Sequence, residues 1–256
     1  MRILKSIAVA FSMYSRIPMP KFTWGTEDMK YHLVFFPWIG VVIGLLQWAW
    51  WYIGLQFNID PTPFSVVTIV IPLMVTGGFH LDGYMDTSDA LSSWQEQDRR
   101  LEILKDSHIG AFAVIKVLIL GMILFSAIYL MDDTSFLAWT FSFFMARAIS
   151  GICVVRYKKA KTTGSLHTEA KTASDNIVVY ALALQFAVAC LIGSFYFNMT
   201  FTMVLLGVFV ALLYYIYTAS TKFGGITGDL AGWFVCNAEV LSAVFLAIFS
   251  VVKNRG

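Results

Sequence analysis

Charge is the property that this sequence has least of. Only 13% of its 256 residues are charged while 58% are hydrophobic, and soluble domains typically carry about 25% charged residues. A chain of this length with so few charges cannot cover a water-exposed surface, which excludes a soluble globular enzyme and a disordered chain. The net charge of +2 is too small to indicate nucleic-acid binding, and no run of lysine and arginine is typical of a nucleic-acid patch. The composition therefore predicts a polytopic membrane protein.

Cysteine is also scarce. Cys153, Cys190 and Cys236 lie far apart in apolar stretches and have no metal-ligand spacing. They are typical of packed apolar residues and exclude a disulfide framework. The sequence likewise contains no Walker A loop, kinase glycine-rich loop or G-x-S-x-G nucleophile elbow.

The sequence is instead dominated by long apolar runs. Crossing a core of about 30 Å takes about 20 apolar residues. The sequence predicts an all-α, polytopic helical membrane protein in which residues 1–256 form a single domain. The N-terminal stretch MRILKSIAVAFSMYSRIPMP, with its basic flank and short apolar run, is expected to be a retained interfacial helix. The second predicted span is short and contains Pro72. A broken or shallow helix is expected there, because the chain runs directly into Gly77-Gly78 and an acidic stretch. The seven predicted spans are 33–57, 64–79, 111–130, 136–155, 177–197, 201–219 and 231–251.

Lysine and arginine are distributed unequally between the two sets of loops. Fourteen of them fall in residues 1–32, 80–110, 156–176 and 220–230, and none falls in the alternate loops. The positive-inside rule therefore predicts that the N-terminus and the first set of loops face the cytoplasm. Lys253 and Arg255 violate this pattern at the other end of the chain.

The stretch GGFHLDGYMDTSDAL contains Asp82, Asp86 and Asp89 at spacings i, i+4 and i+7. These positions share one face of a helix. Two carboxylates about 4 Å apart repel by about 4 kcal/mol at an effective dielectric constant near 20, so a proton, a basic partner or a cation is expected among them. Carboxylate oxygens are the ligands that magnesium prefers. Simple solvation of an acidic loop is the alternative. His80 accompanies these acids, and three glycines offer close backbone approach to a ligand: Gly77, Gly78 and Gly83.

The stretch KFGGITGDLAGWFVCNAE, residues 222–239, also combines paired glycines with acidic residues. Asp229 stands at the start of an apolar helix, where a helix cap is an equally good interpretation. Glu239 lies about 15 Å inside the last span, where an ionisable group is costly and is usually functional or paired. It shares a face with Gly232 and is expected to face the same cavity. The predicted ligand-contacting residues of this stretch are Gly225, Thr227, Gly228 and Glu239.

Basic groups complete the predicted phosphate site. The stretch LKDSHIGAF, residues 104–112, contains Lys105, Ser107 and His108 just before a predicted span. Asp106 is expected either to orient Lys105 or to bind metal. Arg147 lies midway along another span, where a lone arginine costs at least about 2.5 kcal/mol, so it should pair with an acid or a ligand phosphate.

These groups together indicate metal-assisted chemistry on a phosphorylated ligand at the membrane surface. A cation-coupled membrane transporter is the alternative from another class, and it predicts acids near the midplane and symmetry between the two halves. A CDP-alcohol phosphatidyltransferase-like or prenyltransferase-like enzyme would also hold a diphosphate with magnesium. The D-x-x-D-G-x-x-A-R pattern of the former is absent from this sequence.

Five segments, in order from residue 11 to residue 239, resemble the successive signatures of the cobalamin synthase (adenosylcobinamide-GDP ribazoletransferase) family. The resemblance implies an integral protein of the cell inner membrane that joins α-ribazole, or its 5′-phosphate, to adenosylcobinamide-GDP, releases GMP and uses Mg²⁺. His108 departs from the family pattern K-D-S-R-x-G, and its charge would be pH-sensitive. The segments are FSMYSRIPMP, FFPWIGVVIG, GGFHLDGYMDTSDAL, LKDSHIGAFAV and GGITGDLAGWFVCNAE.

The resemblance and the residues lead to one hypothesis for the mechanism. The 3′-hydroxyl of α-ribazole attacks the cobinamide-linked phosphorus, and Lys105 and Arg147 offset the charge on the transferring and leaving groups. His80 or an aspartate takes the hydroxyl proton. Besides its substrates and the lipid bilayer, a second copy of the chain is a partner compatible with the sequence, as a homo-oligomer. The predicted ligands of one or two Mg²⁺ ions are Asp82, Asp86, Asp89 and Asp229.

Overall fold

The computed structural model describes residues 2–20, 23–25, 27–106, 108–160 and 175–255. These residues form helices and one isolated parallel bridge, Lys159 to Ile226, with no β-strand among them. A 3-10 helix, Asp28–Tyr31, precedes α2, and a π-helix, Ala219–Phe223, follows α10. The α-helices are α1 (Arg2–Tyr14), α2 (His32–Phe57), α3 (Pro61–Thr76), α4 (Phe79–Ser92), α5 (Gln97–Ile103), α6 (Ala111–Leu130), α7 (Asp133–Trp139), α8 (Phe141–Arg156), α9 (Asp175–Phe197), α10 (Met199–Thr218) and α11 (Gly228–Lys253).

Six helical segments within the described residues are long and apolar enough to cross a membrane. A seventh span exists if α3 and α4, which meet at an angle of 98°, are counted together. The prediction of an all-α polytopic membrane protein with about seven spans is therefore confirmed. The six segments are Asp28–Phe57, Ala111–Leu130, Asp133–Arg156, Asn176–Phe197, Met199–Phe223 and Gly228–Lys253.

The predicted break in the second span lies at Gly77 and Gly78, and Pro72 does not interrupt the helix. Helix α3 continues through Pro72, and the hydroxyl of Thr76 donates to the Pro72 carbonyl oxygen at 2.8 Å. The chain turns at Gly77 and Gly78, whose φ values are +64° and +82°. Only glycine adopts this left-handed region without steric cost, so the pair of glycines, and not the proline, redirects the chain into α4.

The two ends of the bundle differ in the residues that they carry. We call the end where α4 finishes and α6 and α11 begin the acidic end. At the opposite end, the Nζ of Lys253 lies 3.0 Å from the Oδ2 of Asp132, and the hydroxyls of Ser250 and Ser135 are 2.8 Å apart. The C-terminal helix therefore finishes at the end opposite to the one where it begins, and Lys253, which violated the charge pattern, has an acidic partner there.

Helix α1 occupies the place of the predicted N-terminal interfacial helix. Val9 and Ala10 are fully buried against the bundle, whereas Ile3 and Leu4 are exposed. The backbone N–H of Arg16, just beyond α1, donates to the carbonyl oxygen of Val75 at 2.8 Å. The N-terminal segment is thereby attached to the turn between α3 and α4.

Helix α11 packs against α4, α6, α8 and α10 and forms the centre of the bundle. Small residues permit this packing. A Cβ atom on Gly207 of α10 would lie 2.4 Å from the Cα of Ser242, and one on Gly40 of α2 would lie 2.4 Å from the Phe143 carbonyl oxygen. Close approach at small residues is the usual basis of helix association in membranes.

Candidate active site

Helices α4 and α11 touch backbone to backbone near the acidic end. A Cβ atom on Gly83 would lie 2.7 Å from the carbonyl oxygen of Asp229, and one on Gly232 would lie 3.0 Å from that of His80. Because neither glycine has a side chain, the two helices come closer than larger residues would allow. This crossing brings Asp229 to the helix that carries the other predicted acids.

Four carboxylates from two distant segments gather at this crossing. Asp82, Asp86 and Asp89 follow one face of α4, and the charges of Asp82, Asp89 and Asp229 all act on Asp86. Asp82 is exposed and the other three are half-buried or partly exposed beside it. We call Asp82, Asp86, Asp89 and Asp229 the carboxylate cluster. The structure therefore brings together the four residues that the sequence predicts as metal ligands.

A small cavity of about 30 Å³ lies beside α4 and contains three members of the cluster, Asp82, Asp86 and Asp89. Its other wall is the segment between α5 and α6, which includes Asp106. Gly110 makes the contact possible, because a Cβ atom there would lie 2.1 Å from the Oδ1 of Asp89. The cavity is large enough for a water molecule or a small ion.

The segment between α5 and α6 pairs Asp106 with His108 at the edge of this cavity. Its Oδ1 accepts hydrogen bonds from the backbone N–H of His108 at 3.0 Å and from the ring Nδ1 at 2.7 Å. These bonds hold the pKa of Asp106 below its ordinary value. His108 is almost fully exposed at the cavity and Lys105 is exposed beside it. Ser107 lies outside the described residues, so its predicted substrate contact stays a prediction.

The predicted ligand-contacting glycines divide into two groups. A Cβ atom on Gly77 would lie 2.4 Å from the Nε of Arg16, and one on Gly225 would lie 2.5 Å from the backbone of residues 159–160, so these two glycines serve packing, as Gly83 does. A Cβ atom on Gly78 or Gly228 would meet nothing within 4 Å, which leaves open space for a ligand. Thr227 caps α11, because its side chain accepts from the N–H of Leu230 at 3.2 Å.

Arg147 and Glu239 form an ion pair inside the bundle. The Nη1 of Arg147 lies 2.7 Å from the Oε1 of Glu239, and the side chains are 1% and 12% exposed. The same nitrogen donates to the Phe143 carbonyl oxygen at 2.7 Å. The prediction that Arg147 pairs with an acid is confirmed. Glu239 does not line the cavity that contains Asp86, and the substrate contacts predicted for both residues stay predictions.

His80 is also buried, with 5% of its surface exposed. Its ring packs against Phe36 and Phe79 at centroid distances of 5.7 and 5.4 Å. In the described part of the chain neither ring nitrogen has a hydrogen-bond partner. His80 therefore lies beneath the carboxylate cluster and not among its exposed groups.

Comparison with known proteins adds a second line of observation. The family model CobS, described as cobalamin-5-phosphate synthase, matches residues 6–247. A relative from Lachnoclostridium phytofermentans, named adenosylcobinamide-GDP ribazoletransferase, is 37% identical over 97% of this chain and 95% of its own length. The chain belongs to the cobalamin-5-phosphate synthase family.

Other members of the family are similar over almost the same length. A relative from Clostridium botulinum strain Alaska E43 is 30% identical over 97% of this chain and 99% of its own length. One from Listeria monocytogenes is 25% identical over 90% and 92%. Both are named adenosylcobinamide-GDP ribazoletransferase. No solved structure matches this chain.

The donor chemistry of this family member fits magnesium. All members of the carboxylate cluster offer oxygen ligands, which hard cations prefer over nitrogen or sulfur. Among the residues that the structure describes, no group of three or more His, Cys, Asp or Glu side chains is placed to hold a metal ion. The carboxylates share one patch with a cavity large enough for an ion, and their mutual repulsion would be lowered by a bound cation.

Asp106 is the residue of the site that the sequence left undecided. It lies 17 residues beyond Asp89 in the chain, and no helical spacing relates it to the acids of α4. The available signal was its position immediately before a span that starts at the same end of the bundle. The short α5 returns the chain to the cavity and places Asp106 beside it.

Proposed function

We propose that this protein joins α-ribazole, or its 5′-phosphate, to adenosylcobinamide-GDP and releases GMP. The observation that supports this most directly is the carboxylate cluster at one end of a membrane-embedded bundle, in a chain of the cobalamin-5-phosphate synthase family. The cluster has the charge needed to hold a cation against a diphosphate, and the surrounding helices provide an apolar setting for the corrinoid substrate.

In the proposed reaction the 3′-hydroxyl oxygen of α-ribazole forms a bond to the cobinamide-linked phosphorus. The bond between that phosphorus and the bridging oxygen of the diphosphate breaks, and GMP leaves with that oxygen. The hydroxyl proton passes to a carboxylate. No covalent intermediate with the protein is needed, because phosphoryl transfer depends chiefly on positioning and charge stabilisation.

We propose that Asp82, Asp86, Asp89 and Asp229 hold Mg²⁺, which supplies positive charge to the diphosphate when it is bound. Lys105 is exposed at the same end and would offset charge on the leaving GMP. We assign the proton to a carboxylate in preference to His80, because a general base must lie within hydrogen-bond reach of the hydroxyl. His80 is buried between aromatic rings, whereas Asp82 is exposed.

Release of GMP by the purified protein tests this proposal. With adenosylcobinamide-GDP, α-ribazole and magnesium present, we expect stoichiometric formation of GMP and the joined corrinoid product. Asp82→Asn and Asp86→Asn should each lower kcat/KM by at least about 30-fold, or about 2 kcal/mol of transition-state stabilisation. Asp98→Asn, on the exposed face of α5, is the matched control. Absence of GMP from the wild type, or unchanged rates in both variants, would contradict the proposal.

We further propose that the acidic end faces the cytoplasm across the cell inner membrane, as the lysine and arginine distribution indicates. Cysteine labelling in intact cells tests the orientation. Glu96→Cys and Asn254→Cys, at exposed positions near opposite ends, are introduced separately into a chain whose three native cysteines are replaced by alanine. A membrane-impermeant reagent added outside should reach residue 254 and not residue 96. The reverse labelling pattern would contradict the orientation.

A further inference from the structure

Trp94 adopts an unusual backbone conformation directly after the helix that carries the carboxylates. Its φ value is +55°. The other non-glycine residues with positive φ, among those described, are Asn58 and Asn198, and asparagine tolerates this region well. A bulky residue at this position, where helix ends usually have glycine, is strained.

The indole of Trp94 is also 91% exposed, so it adds almost nothing to the buried core. Tryptophan is normally among the residues that contribute most when buried. Its backbone conformation therefore opposes the stability of the fold, and its exposed ring contributes no burial that would offset this cost. Backbone strain that the fold does not need is often found at functional sites.

The position of Trp94 relative to the carboxylate cluster suggests that requirement. At 100° per residue, Ser93 lies on the same face of α4 as Asp82, Asp86 and Asp89, and its N–H donates to the Asp89 carbonyl oxygen at 3.1 Å. Trp94 thus follows the last position of the acidic face. Ser93, the residue before it, lies about 6 Å beyond Asp89 along the helix axis, so Trp94 begins about one helical turn from the nearest acid of the cluster.

The surroundings favour a water-soluble aromatic ligand over lipid. The residues that follow Trp94 include Glu96, Asp98 and Arg99, all exposed. Interfacial tryptophans of membrane proteins adjoin apolar segments, whereas α4, which precedes Trp94, carries three aspartates. The indole is therefore presented to water among charged groups, near a site that binds a diphosphate in the proposed function.

We propose that Trp94 is the stacking surface for the flat aromatic base of a nucleoside-type substrate, either the guanine of adenosylcobinamide-GDP or the base of α-ribazole. This inference rests on the proposed function. Bases stack on exposed tryptophan rings in many nucleotide-binding proteins, without any requirement for a particular hydrogen-bonding edge. The strained turn holds the indole away from the fold, where both of its faces are accessible.

Three variants test this assignment. Trp94→Gly removes the ring and relieves the backbone strain, so its thermal midpoint should equal or exceed that of the wild type while KM rises about 10-fold. Trp94→Phe keeps a ring and should retain most of the affinity. Phe57→Ala, which removes a 76% exposed ring at the opposite end, should leave KM unchanged. A rise in KM for adenosylcobinamide-GDP identifies guanine as the stacked base. A rise in KM for α-ribazole identifies the base of α-ribazole.

Direct binding separates this inference from the transfer reaction. Calorimetric titrations with GDP and with α-ribazole should show one ligand whose affinity depends on Trp94, whether or not the protein releases GMP. A wild type that transfers normally and a Trp94→Gly variant with unchanged KM and unchanged binding would overturn the inference. The protein has eight tryptophans, so the Trp94 contribution is the difference between the emission of the wild type and that of Trp94→Phe. Quenching of this difference by brominated-lipid vesicles, with both KM values unchanged, would assign the ring to the membrane and overturn the inference equally.

Discussion

The backbone of Asp229 lies directly against Gly83, so that a Cβ atom on this glycine would come within 2.7 Å of the Asp229 carbonyl oxygen. This contact joins two segments that are 146 positions apart in the chain. It places the acid of α11 beside the three acids of α4, and the proposed metal site depends on it.

Gly83→Ala should push α4 away from α11. We expect the free energy of unfolding to fall by about 1–3 kcal/mol, because an added methyl group overpacks the crossing, and kcat/KM to fall more than 10-fold as the cluster separates. Chemical denaturation in detergent and the GMP-release assay measure the two effects. Gly121→Ala is the control: it lies within α6 with no atom within 4 Å and should be neutral or slightly stabilising. Equal behaviour of the two variants would refute the packing role.

Removing one partner of the buried pair Arg147–Glu239 should destabilise the protein strongly. Arg147→Met or Glu239→Leu leaves an uncompensated buried charge, at a cost of about 3–5 kcal/mol. The double variant should recover much of this loss, because both charges are then absent. Lys253→Met breaks a pair that is 50% and 20% exposed, and should cost less than about 1 kcal/mol. A double variant as unstable as the sum of its single variants would show that the two residues are not coupled.

Asp106→Asn should weaken metal binding without abolishing turnover. Because hydrogen bonds from His108 hold the pKa of Asp106 below its ordinary value, this carboxylate stays charged to a lower pH than an unpaired aspartate. Its loss should raise the magnesium concentration for half-maximal activity about 10-fold, as expected for a group that supports metal ligands. Activity titrated against magnesium measures this change, with Asp98→Asn as the control. An unchanged magnesium requirement would place Asp106 outside the site.

The turn between α3 and α4 provides a matched pair of glycines. Gly77→Ala combines a left-handed φ of +64° with a 2.4 Å approach to the Arg16 side chain, whereas Gly78→Ala has φ of +82° and open space. We expect Gly78→Ala to cost about 1–2 kcal/mol from conformation alone, and Gly77→Ala to cost more. Adding Arg16→Ala to Gly77→Ala should recover the difference, as measured by denaturation. Equal losses of stability in the two single variants would show that the Arg16 side chain moves aside without a measurable energetic cost.

Several features of the site could be predicted from local patterns. The spacing of Asp82, Asp86 and Asp89 already placed them on one helical face, and the depth of Arg147 in its span required an acidic partner. The identity of that partner was not predictable. Glu239 lies 92 residues away, and neither segment contains a feature that indicates contact with the other. The sequence predicts close approach of a ligand at Gly83, because a sequence does not distinguish a glycine that meets a ligand from one that meets another helix.

By itself, the sequence determined that this is a helical membrane protein with about seven spans and with most of its acids and most of its basic residues in one set of loops. These are properties of single segments: an apolar run either is or is not long enough to cross a bilayer, and an acidic stripe follows from helical periodicity. Only the tertiary structure decided which helices cross and which acid Arg147 pairs with. Those outcomes depend on close packing between segments distant in the chain, where the absence of one methyl group sets how near two backbones approach.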